Sequence, residues 1–273
     1  MRILSWNTLW RFSDFEPRQP RIVAAVAARQ PDLVLLQETW PEQAEAIASA
    51  CGLAVIAYDG GAFDPPINPA TAGLPFGNAI LGSPDTTGDV AALPLPKGDD
   101  PAHRVGVSAV STLLGPPVLL VSTHLTHLSD HGPIRGEQME RLAAWADGRT
   151  PDGATVLGGD LNQVPTSDEF TAAVAPNWLD LWAAAHPDGL GLTMVADNPL
   201  IERDDWLIRP DGLGGGSGGV RFDFLLARHA GRPGLGGLAL HHIELMGAAD
   251  DGWPSDHLGL VADIEISDSE SGL

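Results

Sequence analysis

The segment Val156–Pro165, with the sequence VLGGDLNQVP, constrains the fold more than any other part of the chain. Its apolar start predicts a buried strand, and its two glycines leave the backbone open to close approach by a ligand. Asp160 and Asn162 follow two residues apart, so extended backbone points both side chains to the same side. The segment therefore predicts a buried strand that presents an acid and an amide at its rim. A plain turn is the alternative, because Gly-Asp and Leu-Asn sequences also suit turns.

Other apolar runs of the chain also meet a polar side chain at one end. Those side chains are Asn7 after Ile3–Trp6, Glu38 after Leu33–Leu36, His124 after Leu119–Thr123, Asp223 within Phe222–Leu226, and Asp256-His257 before the last strand. Any one of them is readily explained as a surface residue or a cap. Together they favour another explanation, because buried ionisable groups are costly unless they are paired or bind a metal. We expect these strand ends to meet at one edge of the fold.

The order of helical and strand patterns indicates an α/β sandwich with helices outside two packed sheets. Apolar residues at helical spacing predict helices at residues 17–29, 41–50 and 134–147, and a further helical segment at 179–185. Strands are predicted at residues 53–58, 77–81, 102–114, 118–123, 220–227, 238–246 and 257–266, besides the runs named above. No linker divides the chain. We therefore expect a single domain over residues 1–266 and a flexible tail at residues 267–273.

The charge balance limits the partners that the chain can attract. The sequence has 36 acidic and 15 basic residues, a formal net charge of −21, and Lys97 as its only lysine. A field of this sign repels polyphosphates at long range, which counts against a mainly electrostatic nucleic-acid binder. It does not exclude a nuclease, since a divalent metal and local arginines can offset the repulsion near a site. The acidity can equally serve solubility or a salty habitat.

Cysteine usage and hydropathy indicate the compartment. Cys51 is the single cysteine, so neither an intrachain disulfide nor a thiolate metal cluster can form. No apolar run approaches the roughly 20 residues of a membrane span. The apolar stretch at the N-terminus is too short for the hydrophobic region of a secretory signal. We expect a cytoplasmic protein without a membrane span.

The polar residues at the strand ends form a chemically coherent set. They are carboxylates, carboxamides and imidazoles, with no thiol. Oxygen ligands of this kind suit a hard divalent ion, Mg²⁺ or Mn²⁺, which keeps positions for water and a substrate phosphate. Imidazoles then fit as donors to a phosphate whose charge grows in the transition state.

In their order along the chain, these motifs resemble the endonuclease/exonuclease/phosphatase superfamily, which has the fold of deoxyribonuclease I. The motifs are Asn7, Gln37-Glu38, Gly77-Asn78, Ser122-Thr123-His124, Gly159-Asp160-Leu161-Asn162, Arg221-Phe222-Asp223 and Ser255-Asp256-His257. The similarity extends over nearly the whole chain, roughly residues 1–266. It implies a four-layer α/β/β/α sandwich of two mixed, mainly antiparallel sheets flanked by helices. It also implies metal-dependent cleavage of a phosphate ester.

The resemblance also implies roles for individual residues. Glu38 resembles the principal metal ligand, assisted by Asn7 and Asp256. Asp160 resembles the residue that orients or deprotonates the attacking water, and Asn162 beside it would hold the phosphate or that water.

Two histidines complete the implied catalytic set. His257 resembles the imidazole that contacts the phosphate, with Asp223 behind it to set its tautomer and charge. His124 matches a second family histidine. Asn78, Arg104 and Arg135 fall at family positions near the substrate, although structural pairing explains the two arginines equally well.

The expected function is hydrolysis of a phosphate ester by in-line attack of an activated water, with Mg²⁺ or Mn²⁺ as cofactor. A phosphodiester is favoured, and a phosphomonoester is the alternative. A non-catalytic binding protein on the same fold is less favoured, because the acidic ligand and the Asp-His pair are both present. The substrate is expected to be a small molecule, a lipid headgroup or a nucleic acid, and the protein a monomer.

Overall fold

Strands dominate the computed structural model, which describes residues 1–150, 152–201, 218–247 and 252–266. The predicted tail, residues 267–273, lies outside the described residues. The strands are β1 (Arg2–Asn7), β2 (Leu33–Thr39), β3 (Ala54–Gly61), β4 (Phe76–Gly82), β5 (Thr87–Pro94), β6 (Val105–Ser111), β7 (Val118–His124), β8 (Ala154–Asp160), β9 (Leu179–Asp180), β10 (Met194–Val195), β11 (Gly219–Val220), β12 (Asp223–His229), β13 (Arg232–Pro233), β14 (Leu238–Met246) and β15 (Gly259–Ile266). The helices are α1 (Phe15–Ala28), α2 (Pro41–Cys51), α3 (Gly132–Arg149) and α4 (Leu181–Ala185), with short 3₁₀ and π turns at Pro69–Thr71 and Phe170–Val174.

Two mixed sheets carry the fold. The first has the strand order β14-β15-β1-β2-β4-β3, and the second has the order β13-β12-β8-β7-β6-β5 with β9 beside β12. Each sheet contains one parallel pair, β1–β2 in the first and β7–β8 in the second. Helix α1 connects the first pair and helix α3 connects the second. The carboxyl ends of two parallel pairs are therefore available for one site.

Side-chain alternation along the strands produces four layers. In β2, Leu33 and Leu35 pack between the sheets, whereas Val34 and Leu36 pack outward against α1 and α2. In β7 and β8 the outward residues pack against α3 and the π turn instead; they include Leu119, Val121 and Leu157. This arrangement confirms the predicted α/β/β/α sandwich. It also explains why both sheets contain near-continuous apolar runs, since each sheet is covered on both faces.

The glycine pair of β8 has a packing role. A Cβ atom at Gly158 would lie 2.6 Å from Ser5 Oγ and 2.7 Å from Leu35 Cδ1, both on the facing sheet. A Cβ atom at Gly159 would lie 2.4 Å from the carbonyl oxygen of Thr123. The interpretation that these glycines open the backbone to a ligand is therefore wrong. They let the two sheets and the adjacent strand approach each other closely.

Two differences from the predicted elements have simple causes. Strand β5 was not predicted, because it is an exposed edge strand whose sequence TGDVAALP lacks an apolar alternation. The predicted helical segment at residues 179–185 begins instead with the short strand β9, which pairs with β12. The Asp180 side chain then accepts a hydrogen bond from Ala183 N, so the helix starts at Leu181.

Candidate active site

A cavity of about 270 Å³ lies where the site-bearing strand ends of the two sheets meet. The polar side chains that line it are Ser13, Glu38, Arg104, His124, His127, Asp160, Asn162, Asp256 and His257. Within the described residues, the structure therefore brings together all the catalytic residues predicted from the sequence, with Asp223 directly behind His257. Their side chains face the space between the two sheets, next to the end of the apolar core.

Three adjacent strands of the second sheet align the catalytic side chains in a row. His124 at the end of β7 pairs with Asp160 at the end of β8, and Asp160 pairs with Asp223 at the start of β12. The first sheet faces this row with Asn7 and Glu38 at the ends of β1 and β2. The segment containing Asp160 is thus a buried strand and not a plain turn.

The backbone at Glu38 departs from regular strand geometry. Glu38 has a φ of 50°, in the left-handed region that side chains other than glycine rarely occupy. The pairing of β2 with β4 also shifts register between Leu36 and Thr39. Simple alternation would turn Glu38 outward with Leu36, so this irregularity is what brings its carboxylate into the cavity. Strain of this kind is characteristic of functional positions.

Asp160 and Asn162 both line the cavity, although Asn162 lies beyond β8 in a left-handed bend with a φ of 50° and not in the extended backbone that was predicted. One oxygen of Asp160 accepts a 2.9 Å hydrogen bond from the Asn162 backbone N–H. The other oxygen accepts a 3.0 Å bond from Asn7 Nδ2, which also donates to Glu38 at 3.0 Å. Asn7 Oδ1 accepts from Leu9 N, so the amide nitrogen of Asn7 bridges the two carboxylates. Asn7, predicted as a metal ligand, therefore presents a donor to them in this geometry.

His257 forms the base–orienter pair expected from the sequence. Its Nδ1 donates to Asp223 Oδ2 at 2.7 Å, and its Nε2 lies 3.7 Å from Asp160 Oδ2 and 3.9 Å from Asp256 Oδ1. Burial opposes a positive charge on the imidazole, but these three carboxylates outweigh it and raise the pKa of His257 well above its ordinary value. The hydrogen bond to Asp223 and the raised pKa favour His257 as a donor at the cavity floor.

His124 differs from His257 in charge. The Asn162 amide group donates one hydrogen to Leu125 O and the other to His124 Nε2, at 3.1 and 3.0 Å. An amide nitrogen only donates, so Nε2 accepts and the ring proton resides on Nδ1, 3.8 Å from Glu38 Oε1. Burial and the nearby Arg104 lower the pKa of His124 well below its ordinary value. His124 is thus a neutral imidazole.

The cavity carboxylates resist ionisation. Burial, together with the negative charge of Asp256, raises the pKa of Glu38 to about 7. Burial also raises the pKa values of Asp160 and Asp256, and the charge of Asp223 adds to both effects. Carboxyl groups held this close together favour sharing a proton or a cation.

The donor set fits a divalent ion. Glu38, His124 and Asp160 each offer a ligand atom within 4.8 Å of the others, as do Asp160, Asp223 and His257. Glu38 Oε2 is buried and meets no hydrogen-bond donor among the described residues. Asp256 lines the cavity but belongs to neither group. An orphaned carboxylate oxygen beside a second carboxylate is the chemistry that a hard cation satisfies.

The three residues predicted near the substrate occupy different places. Arg104 lines the cavity. Asn78 is buried and donates to Val105 O at 2.9 Å, and Arg135 is buried and donates to the carbonyls of Thr126 and Leu128. Neither is among the described residues that line the cavity, so their contact with substrate stays a prediction.

Asp100, which the sequence analysis did not single out, holds Arg104 in place. Both side chains are buried, and Arg104 lies 2.8–2.9 Å from Asp100 Oδ2 through two of its nitrogens. Thr126 Oγ1 donates to the same oxygen at 2.7 Å. Burial raises the pKa of Asp100, but hydrogen bonds from His127 and Thr126 and the charge of Arg104 outweigh it and lower the pKa. Residues 100–104 are not helical, so their spacing of four residues gives no sequence signal for this pair.

Two further polar residues make buried hydrogen bonds that support the site. Gln37 donates to Ser122 Oγ at 3.0 Å and so ties the two sheets together just beneath the catalytic row. Arg18 of α1 is buried and donates to the carbonyls of Thr8, Leu9, Trp10, Phe12 and Pro254. This set of bonds fixes the loop after β1. Neither role has a signal in the sequence, since both depend on contacts between distant segments.

The comparisons with known proteins agree with this geometry. A sequence model of the endonuclease/exonuclease/phosphatase family matches residues 4–257. The chain belongs to this family. Members of the endonuclease/exonuclease/phosphatase family are generally hydrolases that act on phosphate esters and use divalent metals. No curated protein sequence matches the chain at a significant level.

Solved structures of this family share the fold. TDP2 of D. rerio, complexed with single strand DNA product, is 18% identical with a TM-score of 0.73, over 97% of this chain and 98% of that one. The human Nocturnin catalytic domain with bound sulfate anion is 18% identical with a TM-score of 0.70, over 98% and 93%. An endonuclease/exonuclease/phosphatase of Beutenbergia cavernae is 21% identical with a TM-score of 0.72, over 98% and 72%. These identities support the fold and not a shared substrate.

Proposed function

We propose that this protein is a phosphodiesterase that depends on Mg²⁺ or Mn²⁺ and cleaves its substrate by in-line attack of water. The observation that carries the proposal is the buried group of Glu38, Asp160 and His257 at the floor of one cavity. Such a combination of carboxylates and a charged imidazole is expensive to bury without a function. Membership of a family of phosphate-ester hydrolases supports the same reaction class.

Glu38, with Asp256 beside it, is the residue that would hold the divalent ion. The ion would supply Lewis-acid polarisation of the phosphate and would stabilise the leaving oxygen. Asp160 acts as the base toward water, because its raised pKa lies near the working range of a general base. Asn7 and the Asn162 backbone hold its two oxygens in place.

Of the remaining polar residues, Asn162 contacts the water and His257 contacts the phosphate. The Asn162 amide nitrogen is already bonded to His124 and Leu125, so its oxygen faces the cavity as an acceptor. An acceptor suits a water molecule and repels a phosphate oxygen. His257, held by Asp223, donates to a phosphate oxygen as negative charge develops there.

Electrostatics favours a diester over a monoester. Three carboxylates face the cavity. A phosphodiester brings one negative charge to them, whereas a monoester near neutral pH brings nearly two. Phosphomonoester hydrolysis remains the alternative that the assay below separates.

No helix within the described residues is long and apolar enough to cross a membrane. The extent of the domain, a monomeric state and a cytoplasmic location stay predictions.

The test is hydrolysis by the purified protein with Mg²⁺, with Mn²⁺ and with EDTA. Bis-p-nitrophenyl phosphate, p-nitrophenyl phosphate, plasmid DNA and RNA are compared as substrates. We expect metal-dependent cleavage of the diester and a loss of 10²–10³-fold or more in Asp160→Ala and His257→Ala, on the order expected for such groups. His242→Ala, at an exposed histidine of β14, is the matched control. Full turnover in either site variant, or activity confined to the monoester, contradicts the proposal.

A further inference from the structure

Aromatic side chains form one wall of the cavity. Phe12, Phe63 and Phe76 line it, and the ring centroids of Phe63 and Phe76 are 4.7 Å apart. Trp10 is buried behind them, 5.3–5.7 Å from each of the three rings. The Phe76 ring lies 5.9 Å from the ring of His124. Apolar surface therefore begins directly beside the catalytic imidazole.

This wall is rigid. Phe12 lies in the loop after β1, where Arg18 donates to the carbonyls of Thr8, Leu9, Trp10 and Phe12. A loop whose carbonyls are held by one buried guanidinium does not need to be ordered when a ligand binds. The aromatic wall is consequently pre-formed, which lowers the entropy cost of binding.

A second apolar wall comes from another part of the chain. Met194, Leu200 and Ile201 line the cavity. Met194 and Ile201 belong to a core cluster with Val164, Val220 and Phe222, separate from the aromatic cluster. The polar floor thus has two independent apolar surfaces next to it. A phosphodiester has two substituents on phosphorus, so its shape matches this division.

The charges of the lining disfavour a second anionic group on the substrate. Within the described residues, Arg104 is the one arginine that lines the cavity, and no lysine does. Arg104 is already paired with the buried Asp100. Apart from the histidines of the floor and its rim, the other charged groups are Glu38, Asp160 and Asp256. Among the described lining residues, a further phosphate or carboxylate would meet these three carboxylates, and no lysine or unpaired arginine lies there to offset the repulsion.

From these features we infer that the substrate is a phosphodiester with an apolar or aromatic substituent next to phosphorus and no second anionic group. The inference rests on the proposed phosphodiesterase function but makes a separate claim about recognition. The aromatic wall receives the substituent while the floor receives the phosphate. Polyanionic esters, including nucleic acid backbones, are disfavoured.

Binding of slowly hydrolysed esters tests this inference without requiring turnover. Dimethyl phosphate, methyl phenyl phosphate and methyl 4-carboxyphenyl phosphate are titrated calorimetrically into the protein in EDTA, so that the proposed metal-dependent hydrolysis does not consume them. The first two carry equal charge and differ in the ring. We expect the phenyl ester to bind at least about tenfold more tightly than dimethyl phosphate. We expect the added carboxylate to weaken binding of the phenyl ester by at least about tenfold.

Two phenylalanine variants locate the effect. Phe12→Ala removes a partly buried ring that lines the cavity, and we expect it to reduce the preference for the phenyl ester about tenfold. Phe15→Ala is the control, because Phe15 packs on the same aromatic cluster, against Trp40, but is not among the lining residues. If Phe12→Ala does not fold, the wild-type series still decides the question.

The outcomes separate this inference from the proposed function. Equal affinities for the methyl and phenyl esters, tighter binding of the carboxylated ester, or equal losses in the two phenylalanine variants overturn the inference even if diesters are hydrolysed. A preference for the phenyl ester without any metal-dependent hydrolysis supports it and refutes the phosphodiesterase proposal.

Discussion

Replacing Glu38 by Gln is expected to stabilise the metal-free protein at alkaline pH. Burial and the charge of Asp256 raise the pKa of Glu38 from its ordinary value of 4.5 to about 7. A tenfold change in acidity corresponds to about 1.4 kcal/mol, so ionising this carboxyl in the folded protein costs about 3 kcal/mol. Neighbouring carboxyls titrate together with it, which makes this figure an upper value.

The sign of the pH dependence follows from the folded state holding the proton more tightly. The stability contributed by protonated Glu38 is fully present below pH 4.5 and is lost as pH rises through 7. Glu38→Gln removes this loss. We therefore expect the variant to exceed the wild type by up to about 3 kcal/mol at pH 8 and by roughly 1 kcal/mol at pH 5.5.

Urea unfolding in EDTA at these two pH values measures the difference, provided that the denaturant dependence is the same in both proteins. Glu42→Gln, at an exposed glutamate of α2, is the control and should change little. Adding Mn²⁺ should stabilise the wild type by mass action and leave Glu38→Gln nearly unchanged. A variant that is less stable than the wild type at pH 8, or a difference that does not vary with pH, would falsify the argument.

Three other substitutions test the site and its support. Asp223→Asn removes the carboxylate partner of His257, so kcat should fall on the order of 10²-fold or more and the alkaline limb of the pH–rate profile should move to lower pH. Asp100→Asn leaves the buried Arg104 without its charge partner and should lower the free energy of unfolding by about 3 kcal/mol in a denaturant titration. Gly158→Ala places a Cβ atom against the facing sheet and should cost about 1–3 kcal/mol in the same measurement.

Two of these substitutions have a matched control within the chain. Asp99 is the exposed neighbour of Asp100, and Asp99→Asn should cost less than about 1 kcal/mol. Gly148 in α3 has open space around a Cβ atom, so Gly148→Ala should be neutral or stabilising by up to about 1 kcal/mol. For Asp223→Asn, an unchanged pH profile contradicts the proposed pairing. If Asp100→Asn and Asp99→Asn lower the free energy of unfolding equally, the charge argument is refuted. If Gly158→Ala and Gly148→Ala do so, the packing argument is refuted.

The sequence by itself determined the strand ends and the chemistry gathered there. Inward positions alternate along β7 and β8, so the strand ends at His124 and Asp160 could be expected to face the same side. The order of the motifs also led to the family. These predictions succeeded because strand alternation and motif order are local or linear properties of the chain.

The tertiary structure decided the geometry and the surroundings of each site residue. Glu38 reaches the cavity only through the left-handed backbone and register shift of β2, against simple alternation. Gly158 proved to be a contact between sheets, and the surroundings lower the pKa of His124 while they raise that of His257. Charge state, close approach and pairing depend on atoms from distant segments, and burial sets the strength of their interaction. The segment around Asp160 thus specified the groups present, whereas packing of the two sheets specified their contacts and the direction of their pKa shifts.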